Sequence, residues 1–493
     1  MSSLSDRGRA RRGRWVAAGL ALALAGGLVG GCGPRGRPGA GAAAETALSA
    51  GQAQAALRAL AEAPSHGFPA TAFPTAGLAA GLRSSDAGER AAAQRRLAAE
   101  LVGYARAQHG LAIPKAALDK NWGLRAAGRY DAAADLRAAL ADGRFEAWLA
   151  ALPPADPQYQ ALRRGYLAYL KLAEAGGWGA VPEGGALMLG ARGPRVAALR
   201  SRLAFEDAAV GRGGRDEADA PFDPALGAAV ARFQHRHGLK ETGVADAATI
   251  AALNVPVLVR AAQIRANLER LRWLPRAVPA TRIDVNSAAG TFQMYEAGQP
   301  AMAMLVAAGK PGDETPILVS TIHTVVLNPS WTVPPEIAAN ELEPKGEAYL
   351  ASHRFEHDGD RLVQTPGPKN SLGQVKFLFA NPYSVYLHDT PAKAAFARPQ
   401  RQVSHGCVRL ERAIDLAKHL LGREAGWPPE KVDEVLAGDE TRSVALKEPL
   451  PVRIMYATAF VEGDGDQVSF RDDAYGWDAA TLHDLDAALA GHA

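Results

Sequence analysis

The hydrophobic period of the chain changes near residue 275, and this constrains its architecture more than any other feature. Before it, apolar residues recur at helical spacing. Arg260–Leu274 continues as a helix until Pro275, which lacks an amide donor and ends it. After it come short segments rich in β-branched and aromatic residues: Ile283–Val285, Thr291–Tyr295, Ala303–Val306, Ile317–Thr321, Thr324–Leu327, Val375–Phe379 and Ser384–Leu387. Gly, Pro, Asn or Asp separates them, which predicts a mostly antiparallel sheet domain over 281–475, followed by a tail, 476–493. A polar, partly helical insertion at 334–369 is long enough to be a lid rather than a spacer. The expected fold class is multidomain α+β.

The helical half divides in two. Residues 45–185 read as a scaffold. Asp86 caps a helix carrying Leu97, Leu101 and Tyr104, and Asp156-Pro157 starts another carrying Leu162, Tyr166, Tyr169 and Leu170. Residues 186–256 read as a compact three-helix module. Its inward positions are Val196, Leu199 and Leu203, then Leu226, Val230 and Phe233 after Asp223-Pro224, then Ile250 and Leu253 after Asp246. Asn254 ends the last helix, and 257–280 is expected to be a connecting helix. Periodicity marks these apolar positions as core and says nothing of a ligand.

The N-terminus addresses the chain. A basic stretch at 7–14 precedes the apolar run Trp15–Leu28, which is too short for a confident membrane span and has the anatomy of a secretory signal. Leu28-Val29-Gly30-Gly31-Cys32 resembles a bacterial lipobox, which would make Cys32 the lipidated first residue of the mature protein. Ordinary cleavage nearby, with Cys32 lost or left free, is the alternative. Residues 1–32 are thus an expected signal peptide and 33–44 a Gly/Pro/Ala linker suited to tethering. Export to the periplasm, membrane-anchored through that lipid, is the expected location. A net charge of +3, with basic residues scattered, argues against nucleic acid as a partner.

Only two cysteines occur, so Cys407 stands alone in the mature fold. It lies in Ser404-His405-Gly406-Cys407-Val408-Arg409, with His388 upstream at the end of an alternating strand. A thiolate nucleophile needs a base or cation nearby, and Gly406 lets backbone amides approach an oxyanion. Cys407 is expected to precede an amphipathic helix with inward Leu410, Ile414, Ala417 and Leu421, whose N-terminus would favour the thiolate. A small buried hydrophobe is the plain alternative. Zinc held by His388, His405 and Cys407 is disfavoured, because residues 405 and 407 rarely face one ion and no Cys-x-x-Cys exists; no metal or other cofactor is expected. A disulfide to Cys32 conflicts with the signal. Arg409 suits either a substrate carboxylate or a surface salt bridge.

Two resemblances follow from these residues. Gly190, Gly193, Val196, Leu199, Phe222-Asp223, Val230, Phe233-Gln234, Gly238-Leu239, Gly243, Thr249 and Leu253-Asn254 resemble the small helical peptidoglycan-binding domain. His388 and the 404–409 segment, with Gly309-Lys310-Pro311…Thr315-Pro316, Asn328–Pro335 and Asn381–Pro391, resemble the L,D-transpeptidase catalytic domain, in the order seen in large Gram-negative members. The resemblance implies Cys407 as nucleophile, His388 as general base and acid, and an oxyanion site shaped by His405 and Gly406. It further implies substrate contacts from Arg409, Ser404, Tyr383 and Trp331, with 334–369 as a capping lid. The implied partners are peptidoglycan stem peptides: a donor tetrapeptide, joined through a thioester to an acceptor amine in a 3→3 cross-link. Water, a free D-amino acid or a protein amine is an alternative acceptor, and a non-catalytic wall anchor is the alternative of another class.

Overall fold

The structure is a computed structural model and describes residues 47–123, 130–210, 220–463 and 465–490. The expected signal segment with Cys32, and the 33–44 linker, lie outside the described residues.

Local chemistry starts the helices where the sequence predicts. Asp86 accepts from the Glu89 amide and opens the helix Ala87–Gln108, burying Leu97, Leu101 and Tyr104. Asp156 caps Pro157–Glu174, with Pro157 in the first turn, where its missing amide costs nothing. The three-helix module consists of Pro194–Leu203, Pro224–Arg236 and Ala247–Leu253, with Asp223 and Asp246 as side-chain caps. All eight inward positions named above are buried there. Asn254 closes the module by pairing its amide group with both main-chain polar atoms of Val181.

The helix Val257–Arg272 is more than a connector. It is buried on most sides and packs against the Pro157–Glu174 helix, the hairpin Ala459–Val461/Val468–Phe470 and the terminal helix Trp477–Ala490. Its polar side chains face inward and find partners. Glu269 and Arg272 form a fully buried pair at 2.6 Å, and Glu269 also accepts from the Trp273 indole at 2.9 Å. Arg270 holds Asp478 at 2.6 Å, while Asn267 exchanges hydrogen bonds with Thr458. Residues 456–490 therefore belong with the scaffold. The expected tail is a helix burying Trp477, Leu485 and Leu489 in the scaffold core, and the catalytic sheet ends at Met455 rather than 475.

The strands, in chain order, are β1 (Arg282–Asn286), β2 (Thr291–Glu296), β3 (Gln299–Gly309), β4 (Leu318–Leu327), β5 (Trp331–Thr332), β6 (Phe355–Asp358), β7 (Arg361–Gln364), β8 (Val375–Phe379), β9 (Leu387–His388), β10 (Gln402–Ser404), β11 (Val408–Leu410), β12 (Arg442–Met455), β13 (Ala459–Val461) and β14 (Val468–Phe470). Among the described residues, nine form one sheet in the order β10-β3-β11-β9-β8-β4-β12-β1-β2, and β2 pairs back onto β3 so that the sheet closes. Closure removes the edges of the ring β3-β11-β9-β8-β4-β12-β1-β2, and β10 lies outside it beside β3. Most pairs are antiparallel; β1–β12, β3–β10 and β9–β11 are parallel.

Two sequence expectations change. The segments Ile317–Thr321 and Thr324–Leu327 are one strand, β4. The long β12 was not predicted: Pro449 and Pro451 argue against a central strand, yet a register shift between Ala445 and Leu450 takes up Pro449, and Pro451 pairs in register with Thr321. The insertion is also not merely polar. With β5 it forms a small lobe, a three-stranded sheet β5-β7-β6 and short helical turns around Val333, Ala338, Leu342, Leu350, Phe355 and Leu362.

Removing the carboxylate of Glu269 leaves Arg272 as an uncompensated buried cation. Glu269→Ala should lower unfolding free energy by about 3–5 kcal/mol. Arg442→Ala, which breaks the exposed pair with Glu440, should shift it by no more than about 0.5 kcal/mol. Denaturant melts of the two variants check this, and equal losses would refute it.

Candidate active site

Strand alternation assembles the site. Leu387 on β9 pairs with Val408 on β11, and both side chains are fully buried in the sheet core. Their neighbours must therefore point to the opposite face. That puts Tyr386 and His388 from one strand beside Cys407 and Arg409 from the next. β8 adds Lys376, paired directly with His388. Cys407 stands opposite Tyr386 and two residues out of register with His388 on the adjacent strand, which separates the Cys407 and His388 backbone positions by about 8 Å.

The expected helix N-terminus is not what stands at the thiol. Cys407 leads into β11, and the helix begins only at Ala413. Leu410 is a strand residue, Ile414 is half-buried, and the helix buries Ala413, Leu416, Ala417, Leu420 and Leu421 instead. What surrounds the thiol comes from the neighbouring strands instead. Burial raises its pKa above the ordinary value; hydrogen bonds from the main chain and hydroxyl of Tyr386 oppose that, as do the charges of Arg409 and Lys376. Burial, and then the Cys407 sulfur, raises the pKa of Tyr386. Sequence reasoning overlooked Tyr386 and Lys376 as site residues, although Tyr386 lies two positions before His388 and so shares its face.

His388 is buried, and its Nδ1 donates to the main-chain oxygen of Asp389 at 2.5 Å. A carbonyl only accepts, so the proton sits on Nδ1 and Nε2 is the basic nitrogen. Burial first, and then Arg409, lowers its pKa to about 4, against the opposing pull of the Asp389 and Leu372 main chain. The Asp389 carboxylate is engaged elsewhere, by Lys393 at 2.7 Å and the Gln374 amide at 2.9 Å. The resting couple is therefore a neutral thiol and a neutral imidazole. Among the described residues no hydrogen bond joins them.

The loop before the thiol is held from several sides. Gly406 has φ +102°, a left-handed conformation that suits glycine. Thr315 Oγ1 donates to the Gly406 carbonyl at 2.8 Å and accepts from the Gly309 amide at 2.8 Å. Gly309 has no room for a side chain, since a Cβ would stand 2.0 Å from the Asp313 oxygen. The Tyr475 hydroxyl, from the scaffold side, donates to the Gly309 carbonyl at 2.6 Å and accepts from the Thr315 amide at 3.3 Å. Ser404 donates to the Cys407 carbonyl at 2.6 Å. Among the described residues the amides of Gly406 and Cys407 have no acceptor, which leaves them available to an oxyanion.

Four residues expected near substrate have other placements or partners. Ser404 is buried and serves the loop alone. The His405 ring turns outward to Glu341 of the inserted lobe at 2.7 Å, with Lys310 3.1 Å from the same nitrogen, so at the thiol it offers main chain only. Trp331 packs with Phe355 in the lobe. Tyr383 donates to the Lys120 carbonyl at 2.9 Å, joining the catalytic sheet to the scaffold. Arg409 does stand at the site. Among the described residues it forms no salt bridge, and its buried Nε lacks a partner.

Two outcomes test this geometry. A thiol raised above its ordinary 9.0 should be alkylated by iodoacetamide at a rate that keeps climbing beyond pH 9, while base catalysis by His388 should persist down to about pH 5, where an ordinary imidazole is protonated. A plateau in alkylation near pH 6 would contradict the neutral couple. Tyr475→Phe keeps the ring stack on Tyr456 and Trp477 but loses both loop hydrogen bonds. It should lower kcat about tenfold with KM little changed.

Comparison with known proteins agrees with this arrangement. Residues 280–454 match the L,D-transpeptidase catalytic domain family, YkuD; 45–165 match the scaffold domain family; 192–253 match the family described as "Putative peptidoglycan binding domain". A Haemophilus influenzae protein named "Putative L,D-transpeptidase" is 32% identical over 236 residues, 43% of this chain and 47% of that protein. The match thus spans about half of that relative's length. Solved L,D-transpeptidases from Mycobacterium smegmatis and Mycobacterium tuberculosis are 16% and 15% identical, with TM-scores of 0.20 and 0.21. They cover 36% of this chain and 58% and 61% of their own, a likeness too slight to support inference. Residues 280–454 thus carry an L,D-transpeptidase catalytic domain, preceded in order by segments that match the scaffold and peptidoglycan-binding domain families.

Proposed function

We propose that this protein is a peptidoglycan L,D-transpeptidase forming 3→3 cross-links through a thioester on Cys407. The observation that carries this reading is the single sheet face bearing Cys407, His388 and Tyr386 beside two unbonded amides. Nε2 of His388 takes the thiol proton as sulfur attacks the carbonyl on the L-centre of the third stem residue. Amides of Gly406 and Cys407 hold the oxyanion. The imidazolium then gives its proton to the departing amine of the fourth residue, leaving a thioester. A stem amine attacks next, loses a proton to His388, and the thiolate departs and is reprotonated. A near-neutral resting pair suits general-base activation at the moment of attack rather than a standing thiolate.

The wall-binding module would keep this centre on its polymeric substrate, and the inserted lobe would cap it through Glu341 and His405. Export, lipidation of Cys32 and a periplasmic site at a membrane complete the reading.

Incubation with a disaccharide-tetrapeptide tests the proposal. The wild type should yield 3→3 dimers, visible by mass spectrometry as loss of one alanine, and Cys407→Ala should yield none while still binding isolated sacculi. Tripeptide alone would show that water is the acceptor. Dimers from the Cys407→Ala variant would overturn the thioester mechanism.

A further inference from the structure

The two amides free for an oxyanion are not held alike. Each belongs to a peptide plane whose carbonyl stands on the preceding residue. No cis bond occurs among the described residues, so each N–H points opposite that carbonyl. Fixing the Gly406 carbonyl therefore fixes the direction of the Cys407 amide, and Thr315 Oγ1 does this at 2.8 Å. Among the described residues no donor reaches the His405 carbonyl, so the Gly406 amide has no such restraint.

The proton inventory settles which way the Thr315 bond runs. Its Oγ1 is 2.8 Å from two main-chain atoms, the Gly309 nitrogen and the Gly406 oxygen. An amide nitrogen only donates and a carbonyl only accepts, so the single hydroxyl proton goes to Gly406. Thr315 is fully buried, and solvent does not reach that proton. A buried hydroxyl is costly unless it is hydrogen-bonded, and here both its roles are filled. The main chain of Thr315 is anchored in turn, its amide donating to the Tyr475 hydroxyl at 3.3 Å.

Gly406 makes the restraint necessary. With φ at +102° and no Cβ, little steric resistance opposes rotation of the plane that follows it. A crankshaft turn of that plane moves neither Cα. It would carry the Cys407 N–H off the oxyanion and leave the sulfur in place. The sulfur is fixed separately: Ser404 holds the Cys407 carbonyl at 2.6 Å, and the Val408 amide donates to the Tyr386 carbonyl at 3.1 Å. We propose that Thr315 is a positioning residue whose hydroxyl aims the Cys407 amide, making that amide the principal oxyanion donor and the Gly406 amide the lesser one. The assignment rests on the acyl-transfer reading of Cys407 and adds what orients its oxyanion site.

The test uses the full chain and a stem tetrapeptide, with kcat and KM read from release of the fourth residue. Iodoacetamide alkylation reads the thiol alone, because sulfur displaces iodide at a saturated carbon and no oxyanion forms. Thr315→Val keeps the shape and loses the hydroxyl. It should lower kcat about 10- to 100-fold, with KM and the alkylation rate within about twofold of wild type. Thr315→Ser keeps the hydroxyl and should restore kcat. Thr315→Ala needs no extra room and carries the same expectation as valine should that variant not fold. If alkylation slows in parallel with kcat, or serine does no better than valine, Thr315 only supports the fold and the proposal falls. An unchanged kcat in the valine variant would also overturn it. If the wild type is alkylated yet releases no fourth residue, the acyl-transfer reading falls, and the assignment with it.

Discussion

The Glu269–Arg272 pair, buried without any exposed surface, is the constraint around which the helical half is arranged. Isolating either charge from water would be costly, so each requires its partner and its further hydrogen bonds in place. Arg272 reaches Tyr159 at 3.2 Å and covers the Phe68 ring at 4.0 Å, while Arg270 and Asn267 bind the segment after the catalytic sheet. One helix thus connects the scaffold, the hairpin and the terminal helix. Hydrophobic packing alone would be less particular about register, and the directional contacts fix how these elements meet.

That arrangement reaches the reacting loop. Tyr475 belongs to the segment held by the scaffold, yet its hydroxyl bridges Gly309 and Thr315, and Thr315 holds the carbonyl of Gly406. A second tie runs from Tyr383 to Lys120, beside the bridge between Trp122 and Ile317. The scaffold is therefore a mechanical part of the site. Among the described residues it supplies no group that touches the thiol, but it holds the loop on which a free amide pair depends.

Much of the site was legible because a strand has a period of two. His388 closing an apolar strand, and Cys407 one residue before Val408, suffice to place them on one face once Leu387 and Val408 are inside. Lys376 was not legible, since only pairing of β8 with β9 brings it opposite His388. The nature of the thiol's surroundings was misread for a related reason. Leu410 continues the apolar spacing of the following helix, so strand and helix merge into one amphipathic pattern in the sequence. Tyr383 and Trp331 sit in motifs rich in aromatic residues, but which aromatic ring meets a substrate and which meets a neighbouring lobe is a matter of packing.

By itself the sequence determined the helix starts at Asp86, Asp156, Asp223 and Asp246, the core of the three-helix module, the change to strands after Pro275 and the pairing of one thiol with one strand-end histidine. These are local: capping, period and backbone stiffness act within a few residues. Tertiary structure alone decided that the last residues return to the scaffold, that Pro449 and Pro451 lie in a central strand, and that Arg409 meets Lys376 across His388 rather than a surface carboxylate. Those depend on which distant segments pair, and pairing is settled by closure of the sheet and by satisfying buried charges, neither of which any short window of sequence contains.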